Sequence, residues 1–320
     1  MGSKGGYALR CSALVVPTLL GVSLLTFVLL QFAGDRAEVV ARRNTSNAAP
    51  TLEEIAEART TLGLDRPLPL QYANWLRDAA QGDLGISDVT SRPVRSEIAY
   101  RFPYTLRLAL PAAALALFLA VPLGLLSAMH HNRFVDQVLR VASVVGASIP
   151  SFWLGLVLIN VLAVQLRLLP ATGPGSTRNL VLPVVTLAVG PAALLARVTR
   201  AALIEALAND YVRTATAKGL RRQLVLERHV LPNCFVALLT VVGSVIGRLL
   251  VGAVIIETIF SWPGIGMLMV NSIAQQDYPV VLGIVLVSGI VFVLVNLLVD
   301  LTYGLVDPRI DIGGRPMRTG

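Results

Sequence analysis

The sequence predicts an all-α integral membrane protein with six transmembrane helices. A small extracytoplasmic domain follows the first helix, and a cytoplasmic loop joins the fourth and fifth. Hydrophobic residues make up 55% of the 320 residues and charged residues only 14%, whereas soluble domains carry about 25% charged residues. The apolar residues also form runs near the ~20 residues that span a bilayer. A soluble enzyme is therefore not expected.

Six apolar runs follow one another along the chain at the length of a membrane span. The fifth run is interrupted by Arg248. A seventh uncharged stretch, residues 258–276, contains Pro263, Gly264 and Gly266, which break a helix and leave backbone groups unpaired in lipid. We therefore expect it to be a re-entrant or interfacial segment packed against protein. The six runs are residues 11–33, 108–129, 141–166, 179–196, 233–256 and 278–299.

The distribution of Arg and Lys predicts that both termini are cytoplasmic. Short connections on the side of the termini are rich in these residues, and the connection between the fourth and fifth runs alone holds seven. The opposite side holds Arg167 and Arg178 in its short connections, so the positive-inside rule sets the orientation. Because the basic residues alternate with apolar runs and do not form one solvated face, the net charge of +8 does not indicate nucleic-acid binding.

The predicted domain organisation has four parts. Residues 1–33 form the cytoplasmic N-terminus and first span, and residues 34–102 form the extracytoplasmic domain. Residues 103–306 form a five-helix core that includes the loop 206–232, and residues 307–320 form a cytoplasmic tail.

The extracytoplasmic segment is predicted to contain two short helices. Thr51 is predicted to be the N-cap of a helix over residues 52–62, because acidic residues occupy the first turn. A second amphipathic helix is expected over residues 70–80. This segment fits a packed cap over the membrane core and equally a binding surface for an external partner.

The loop 206–232 is predicted to form two short helices with a sharp break between them. Residues 211–218 favour a helix that ends at Gly219, the usual stop residue. A second helix is expected over residues 221–230, stopped by Pro232. Such a knob on the cytoplasmic face could bind a partner protein, or it could be a basic loop held at anionic lipid headgroups.

This loop resembles the cytoplasmic EAA loop of ABC importer permeases. Gly219 and the pair Leu231-Pro232 stand at the spacing of that motif. The general pattern has Glu-Ala-Ala where this chain has Arg-Thr-Ala at 213–215, and isoleucine where it has His229. The run at 210–219, Asp-Tyr-Val-Arg-Thr-Ala-Thr-Ala-Lys-Gly, is similar to the variant of peptide and nickel importer permeases.

Other stretches match the same subfamily in order and extend the resemblance over nearly the whole chain. Such permeases have six spans and a large loop after the first, in agreement with the predicted topology. The matching stretches are Gly-Asp-Leu-Gly-Ile-Ser at 82–87, Pro-Tyr-Thr-Leu at 103–106, Ser-Ile-Pro-Ser-Phe-Trp at 148–153, Glu-Thr-Ile-Phe-Ser-Trp-Pro-Gly-Ile-Gly at 257–266 and Asp-Leu-Thr-Tyr-Gly-Leu-Val-Asp-Pro-Arg at 300–309.

The resemblance implies a subunit of an ATP-driven importer in the bacterial cytoplasmic membrane. A second homologous permease would pair with this chain, two cytoplasmic ABC ATPases would dock on the two EAA loops, and an extracytoplasmic substrate-binding protein would dock outside. ATP would be bound by the partner ATPases, with no cofactor on this chain. The residues implied in ATPase coupling are Asp210, Tyr211, Arg213, Thr214, Ala215, Lys218, Gly219, His229, Leu231 and Pro232.

The sequence around the two lysines supports the assignment of ATP binding to the partner ATPases. A P-loop needs a Gly-Lys-Ser/Thr sequence to bind phosphate. Lys4 follows Ser3 and Lys218 follows Ala217, so neither lysine fits, and no ATPase activity of its own is expected.

The resemblance leaves the substrate open between di- or oligopeptides and nickel or another small solute. Arg248 is a candidate for the translocation pathway, where it would meet a peptide carboxylate, or for a structural or snorkelling role. A self-contained secondary transporter would need a coupling site of intramembrane acids, and the second to fifth runs contain almost none. A membrane enzyme is the remaining alternative, and the sequence contains no evident catalytic set.

Overall fold

The computed structural model of the chain describes residues 3–44 and 49–306. Side chains are described for these residues except 3–15, 299–306 and a set of positions between 222 and 252. Within this part of the chain, the isolated bridge between Ile86 and Pro93 is the only strand-like pairing. The α-helices are α1 (Ser3–Phe32), α2 (Arg36–Asn44), α3 (Leu52–Thr61), α4 (Leu68–Ala80), α5 (Val94–Met129), α6 (Phe134–Ser148), α7 (Ser151–Leu158), α8 (Thr177–Ala208), α9 (Asp210–Ala217), α10 (Arg222–Val225), α11 (Leu231–Ile259), α12 (Ile265–Ala274) and α13 (Tyr278–Val306).

Several helices are long and apolar enough to cross a membrane. Among the described residues, Val94–Met129, Thr177–Ala208 and Tyr278–Leu298 meet this condition as single helices. Two bent pairs, Val16–Phe32 with Arg36–Asn44 and Phe134–Ser148 with Ser151–Gln165, raise the number to five if each pair is one span. The chain is thus a helical membrane protein.

The predicted third span is broken in the structure. Helices α6 and α7, the latter continued by a π-helical turn over Ile159–Gln165, meet at an angle of 96°. Ile149, at the end of α6, has an extended backbone with ψ 121°, as expected for a residue before proline. The prediction of one continuous helix over residues 141–166 is therefore wrong, because Pro150 forces the chain out of the helical conformation.

The chain divides into two compact units. The first unit consists mainly of Tyr104–Pro263, and the second combines Gly5–Pro103 with Gly264–Val293. The core of the first unit is apolar and lies among α5, α8 and α11. Its fully buried members include Leu108, Leu182, Leu195, Leu249 and Ile256.

The second unit joins two pieces that are far apart in sequence. Asp277 is buried, its Oδ2 accepts a hydrogen bond from Ser87 Oγ at 2.5 Å, and its Oδ1 accepts one from the Asp88 N–H at 3.1 Å. Arg36 in turn binds the Asp88 carboxylate through two nitrogens at 2.8 Å. The start of α12 is buried with Leu84, Val94 and Ile98 in an apolar cluster. This confirms that the seventh apolar stretch packs against protein.

Helix α3 begins with the predicted cap. Thr51 Oγ1 accepts a hydrogen bond from the Glu54 N–H at 3.3 Å, and the Glu54 carboxylate accepts one from the Thr51 N–H at 2.7 Å. This reciprocal capping box stabilises the first turn of α3 and confirms the assignment of Thr51 as N-cap.

Gly124 allows α5 and α8 to approach closely in the first unit. A Cβ atom at this position would lie 2.5 Å from Thr199 Cβ and 2.8 Å from the backbone oxygen of Ala196. We expect Gly124→Ala to lower the free energy of unfolding by ~1–3 kcal/mol through overpacking. Unfolding of the purified chain in mixed micelles with increasing SDS measures this change.

Gly190→Ala is the matched control. Gly190 lies inside α8 and has nothing within 4 Å of an added Cβ, so alanine meets no neighbour there. Equal stability of the two variants would contradict the close approach at Gly124.

Candidate functional site: the loop between α8 and α11

Helix α9 is anchored to the first unit by one apolar face. Val212 and Ala215 are buried in a cluster with Leu203 and Ala206 of α8 and Ala128 of α5. The spacing of three residues between Val212 and Ala215 places both on one side of a helix. The loop is therefore a packed extension of the membrane core.

The other face of α9 is polar and exposed. Asp210, Arg213 and Thr214 are exposed, and Tyr211 is 38% exposed. Arg213 Nη1 lies 3.7 Å from Asp210 Oδ1 with both side chains largely in solvent, so this pair contributes little to stability. This face is available for contact with another protein.

Gly219 ends α9 in a Schellman motif. The Leu220 N–H donates to the Ala215 carbonyl at 3.3 Å, and the Gly219 N–H donates to the Thr216 carbonyl at 3.0 Å. Gly219 has φ +79°, the left-handed conformation that glycine adopts without steric penalty. The predicted turn at Gly219 is confirmed, with Lys218 as the exposed residue before it.

The segment after Gly219 differs from the prediction of one helix stopped by Pro232. Helix α10 covers Arg222–Val225, a π-helical turn covers Leu226–Val230, and α11 begins at Leu231. Pro232 lies in the first turn of α11, where the missing N–H leaves no hydrogen bond unmade. Pro232 therefore starts a helix and does not stop one.

Two predicted residues of the loop and the predicted pathway residue have helical backbones but side chains that are not described. These are His229, Pro232 and Arg248. Leu231 is half-buried and packs against the apolar cluster beneath α9.

A buried ionic cluster joins α8 to α5 and α6. The Asp136 side chain is fully buried, and its two oxygens accept hydrogen bonds from Arg200 Nε and Nη2 at 2.7 and 2.8 Å. Ser127 Oγ and the Asn132 N–H also donate to Asp136, at 2.6 and 3.0 Å. Charge-assisted bidentate bonds of this kind fix the relative position of the elements they join, here α5, α6 and α8.

Sequence reasoning missed this cluster, although one signal was available. Asp136 is the only acidic residue between Glu97 and Glu205, and a lone acid in a long apolar and basic stretch is expected to have a partner. The sequence alone does not identify Arg200 as that partner.

A second buried pair joins two of the motif stretches. Thr105 Oγ1 donates to Glu257 Oε1 at 2.6 Å, and Trp262 Nε1 donates to the Tyr104 carbonyl at 2.9 Å. Glu257 is fully buried. The stretches at 103–106 and 257–266 thus meet in the first unit.

Comparison with known proteins gives consistent matches over nearly the whole chain. Residues 120–312 match the family described as binding-protein-dependent transport system inner membrane component, and residues 7–109 match the model of its N-terminal region. The glutathione transport system permease protein GsiC of Pectobacterium atrosepticum is 40% identical over 92% of this chain and 95% of its own length.

Two further similarities agree with this match. The D,D-dipeptide transport system permease protein DdpB of Escherichia coli K12 is 38% identical over 95% of this chain and 97% of its own length. A chain of the inward-facing MetNI methionine ABC transporter has a similar fold, with a TM-score of 0.54 and 18% identity over 66% of this chain and 96% of that chain.

Proposed function

Since this chain belongs to the family of binding-protein-dependent transport system inner membrane components, and is thus a permease subunit of an ABC importer, we propose that it imports peptides. Relatives that are 38–40% identical over more than 90% of the chain include glutathione and D,D-dipeptide permeases. Glutathione and D,D-dipeptides are both short peptides or peptide-like molecules. A short peptide is therefore the substrate class that we assign to this chain.

Helix α9 is proposed to be the element that a partner ATPase contacts. Its exposed polar face carries this proposal, because the opposite face is fixed to α8 and α5 by Val212 and Ala215. A force applied to α9 by a closing ATPase would pass directly into α8. Residues Asp210, Tyr211, Arg213, Thr214 and Lys218 would form the contact.

In the complete transporter, this chain is proposed to act in the lipid bilayer together with three kinds of protein partner. A second homologous permease would complete the pathway, two ABC ATPases would bind ATP, and an extracytoplasmic protein would deliver the substrate to this multi-pass chain in the bilayer. The apolar runs predict six spans, and the arginine distribution predicts cytoplasmic termini. Together these two predictions would place α9 on the cytoplasmic side, beside the ATPases. Arg248 would then lie inside the fifth span as a pathway candidate.

The test is uptake by cells with and without this gene. Labelled dipeptide, D,D-dipeptide and glutathione would be supplied in parallel, with nickel as the alternative substrate. We expect uptake of at least one peptide to fall on deletion and to return with the native gene. Loss of nickel uptake alone would overturn the peptide assignment and retain the permease architecture.

A further inference from the structure

A groove with a basic rim and an apolar floor lies between α6 and α8. Its volume is about 450 Å³. Val144, Leu194 and Val198 contribute apolar wall, and Arg140 and Arg197 lie at its edge. These residues lie one helical turn apart on the facing sides of the two helices, so the basic groups and the apolar wall form one continuous surface.

The two edge arginines are available to an external anion. Arg197 is exposed and has no ion-pair partner within the described part of the chain. Arg140 Nε lies 3.9 Å from Asp136 Oδ2, and its side chain is 49% exposed. Arg200 also lines the groove, but its guanidinium is held by the Asp136 carboxylate. Three arginines and one carboxylate leave the groove with a net positive charge.

The apolar wall of the groove could contact lipid acyl chains, because the valines on and beside it are exposed. Val144 is 54% exposed, and the neighbouring Val141 and Val145 on α6 are 58% and 51% exposed. Exposed valines in a membrane helix are compatible with hydrocarbon, and basic pockets between helices on the cytoplasmic side bind anionic lipid headgroups. A free inorganic anion would use the arginines but gain nothing from this wall.

We propose that this groove binds an anionic phospholipid of the cytoplasmic leaflet. The phosphate and headgroup lie between Arg140 and Arg197, and one acyl chain follows Val144 and Leu194. The proposal rests on the orientation given under the proposed function. The bound lipid would hold α6 against α8 at Arg197, thirteen residues before α9 begins at Asp210, and so stabilise the position of the predicted coupling helix.

Lipid binding by the full-length chain tests the proposal without measuring transport. Purified protein would receive phosphatidylglycerol, phosphatidylethanolamine or glycerol phosphate, and native mass spectrometry would count retained molecules. We expect preference for phosphatidylglycerol, reduced roughly five-fold by Arg197→Gln and on the order of twenty-fold by Arg140→Gln with Arg197→Gln, since each surface arginine adds about this much attraction. Arg133→Gln, an exposed arginine outside this groove, is the control with the same charge loss as Arg197→Gln. Equal retention by the Arg133 and Arg197 variants would overturn the proposal.

A second variant separates a phospholipid from a bare phosphate. Ala201 is exposed and lines the groove, so Ala201→Trp fills it without changing charge. We expect this variant to release phosphatidylglycerol. If glycerol phosphate binds the wild-type chain as tightly as phosphatidylglycerol, the lipid assignment is wrong.

Photocrosslinking in cell membranes tests the occupant in the assembled transporter. A benzoylphenylalanine side chain placed at position 201 reacts with whatever lies in the groove. A phospholipid adduct that disappears with Arg140→Gln and Arg197→Gln supports the proposal. An adduct to a protein chain would assign the groove to a subunit interface and overturn it. Because both measurements read binding and not uptake, their failure is distinct from a failure of the peptide assignment.

Discussion

Gly219→Val is expected to uncouple ATP hydrolysis from uptake while the chain still inserts in the membrane. Gly219 has φ +79° and nothing within 4 Å of an added Cβ, so the expected effect comes from the backbone and not from a clash. A β-branched residue is strained in this conformation by ~1–2 kcal/mol. Relief of the strain reorients the end of α9, so uptake is expected to fall by on the order of tenfold.

Uptake and ATPase activity of the intact complex in membrane vesicles measure the effect. Gly219→Asn should retain most uptake, because asparagine tolerates the left-handed conformation. Gly173→Val is the matched control, since Gly173 has φ +80° and equally open space but lies outside the predicted coupling loop. If both valine variants lose uptake equally, general backbone strain and not coupling explains the result.

Asp136→Asn is expected to produce the largest loss of stability. The change removes the charge that Arg200 binds through two nitrogens, and the Asp136 site is fully buried. Breaking one partner of a buried pair costs ~3–5 kcal/mol, because the remaining charge is left without compensation. The free energy of unfolding in mixed SDS micelles and the yield of inserted protein report the loss.

Asp210→Asn provides the comparison for this variant. Asp210 also lies beside an arginine, at 3.7 Å, but the pair is exposed, so a change near zero is expected. Adding Arg200→Gln to Asp136→Asn should restore part of the loss, because no unpaired buried charge then remains. An Asp136 variant as stable as the Asp210 variant would show that the ionic cluster does not stabilise the chain.

Local signals in the sequence predicted local structure well. Thr51 with Glu54 marks the start of α3, and Gly219 marks the end of α9, because each signal acts through hydrogen bonds within a few residues. The exposed polar face of α9 likewise follows from the alternation of Val212 and Ala215 with polar neighbours. The membrane class follows from composition alone.

Long-range pairing and the effects of proline were not predictable in the same way. Asp136 and Arg200 are 64 residues apart, and Thr105 and Glu257 are 152 apart, so only the packing of helices brings each pair together. Pro150 follows the end of α6 and starts a bend of the chain, while Pro232 lies in the first turn of α11. Proline is favoured in the first turn and disfavoured in the interior, yet Pro183 and Pro191 lie inside α8 without ending it. The sequence therefore does not say in advance what each proline does.

The second unit consists of two separate stretches of the chain, which determines when it can fold during synthesis. Gly5–Pro103 folds with Gly264–Val293, and about 160 residues of the first unit separate the two pieces in sequence. A ribosome adding ~5–20 residues per second needs roughly 8–30 s to synthesise that interval. During this time Ser87 and Asp88 have emerged, but their later partner Asp277 has not been made. The part of the second unit that is made first therefore completes its packing only after Asp277 has been synthesised.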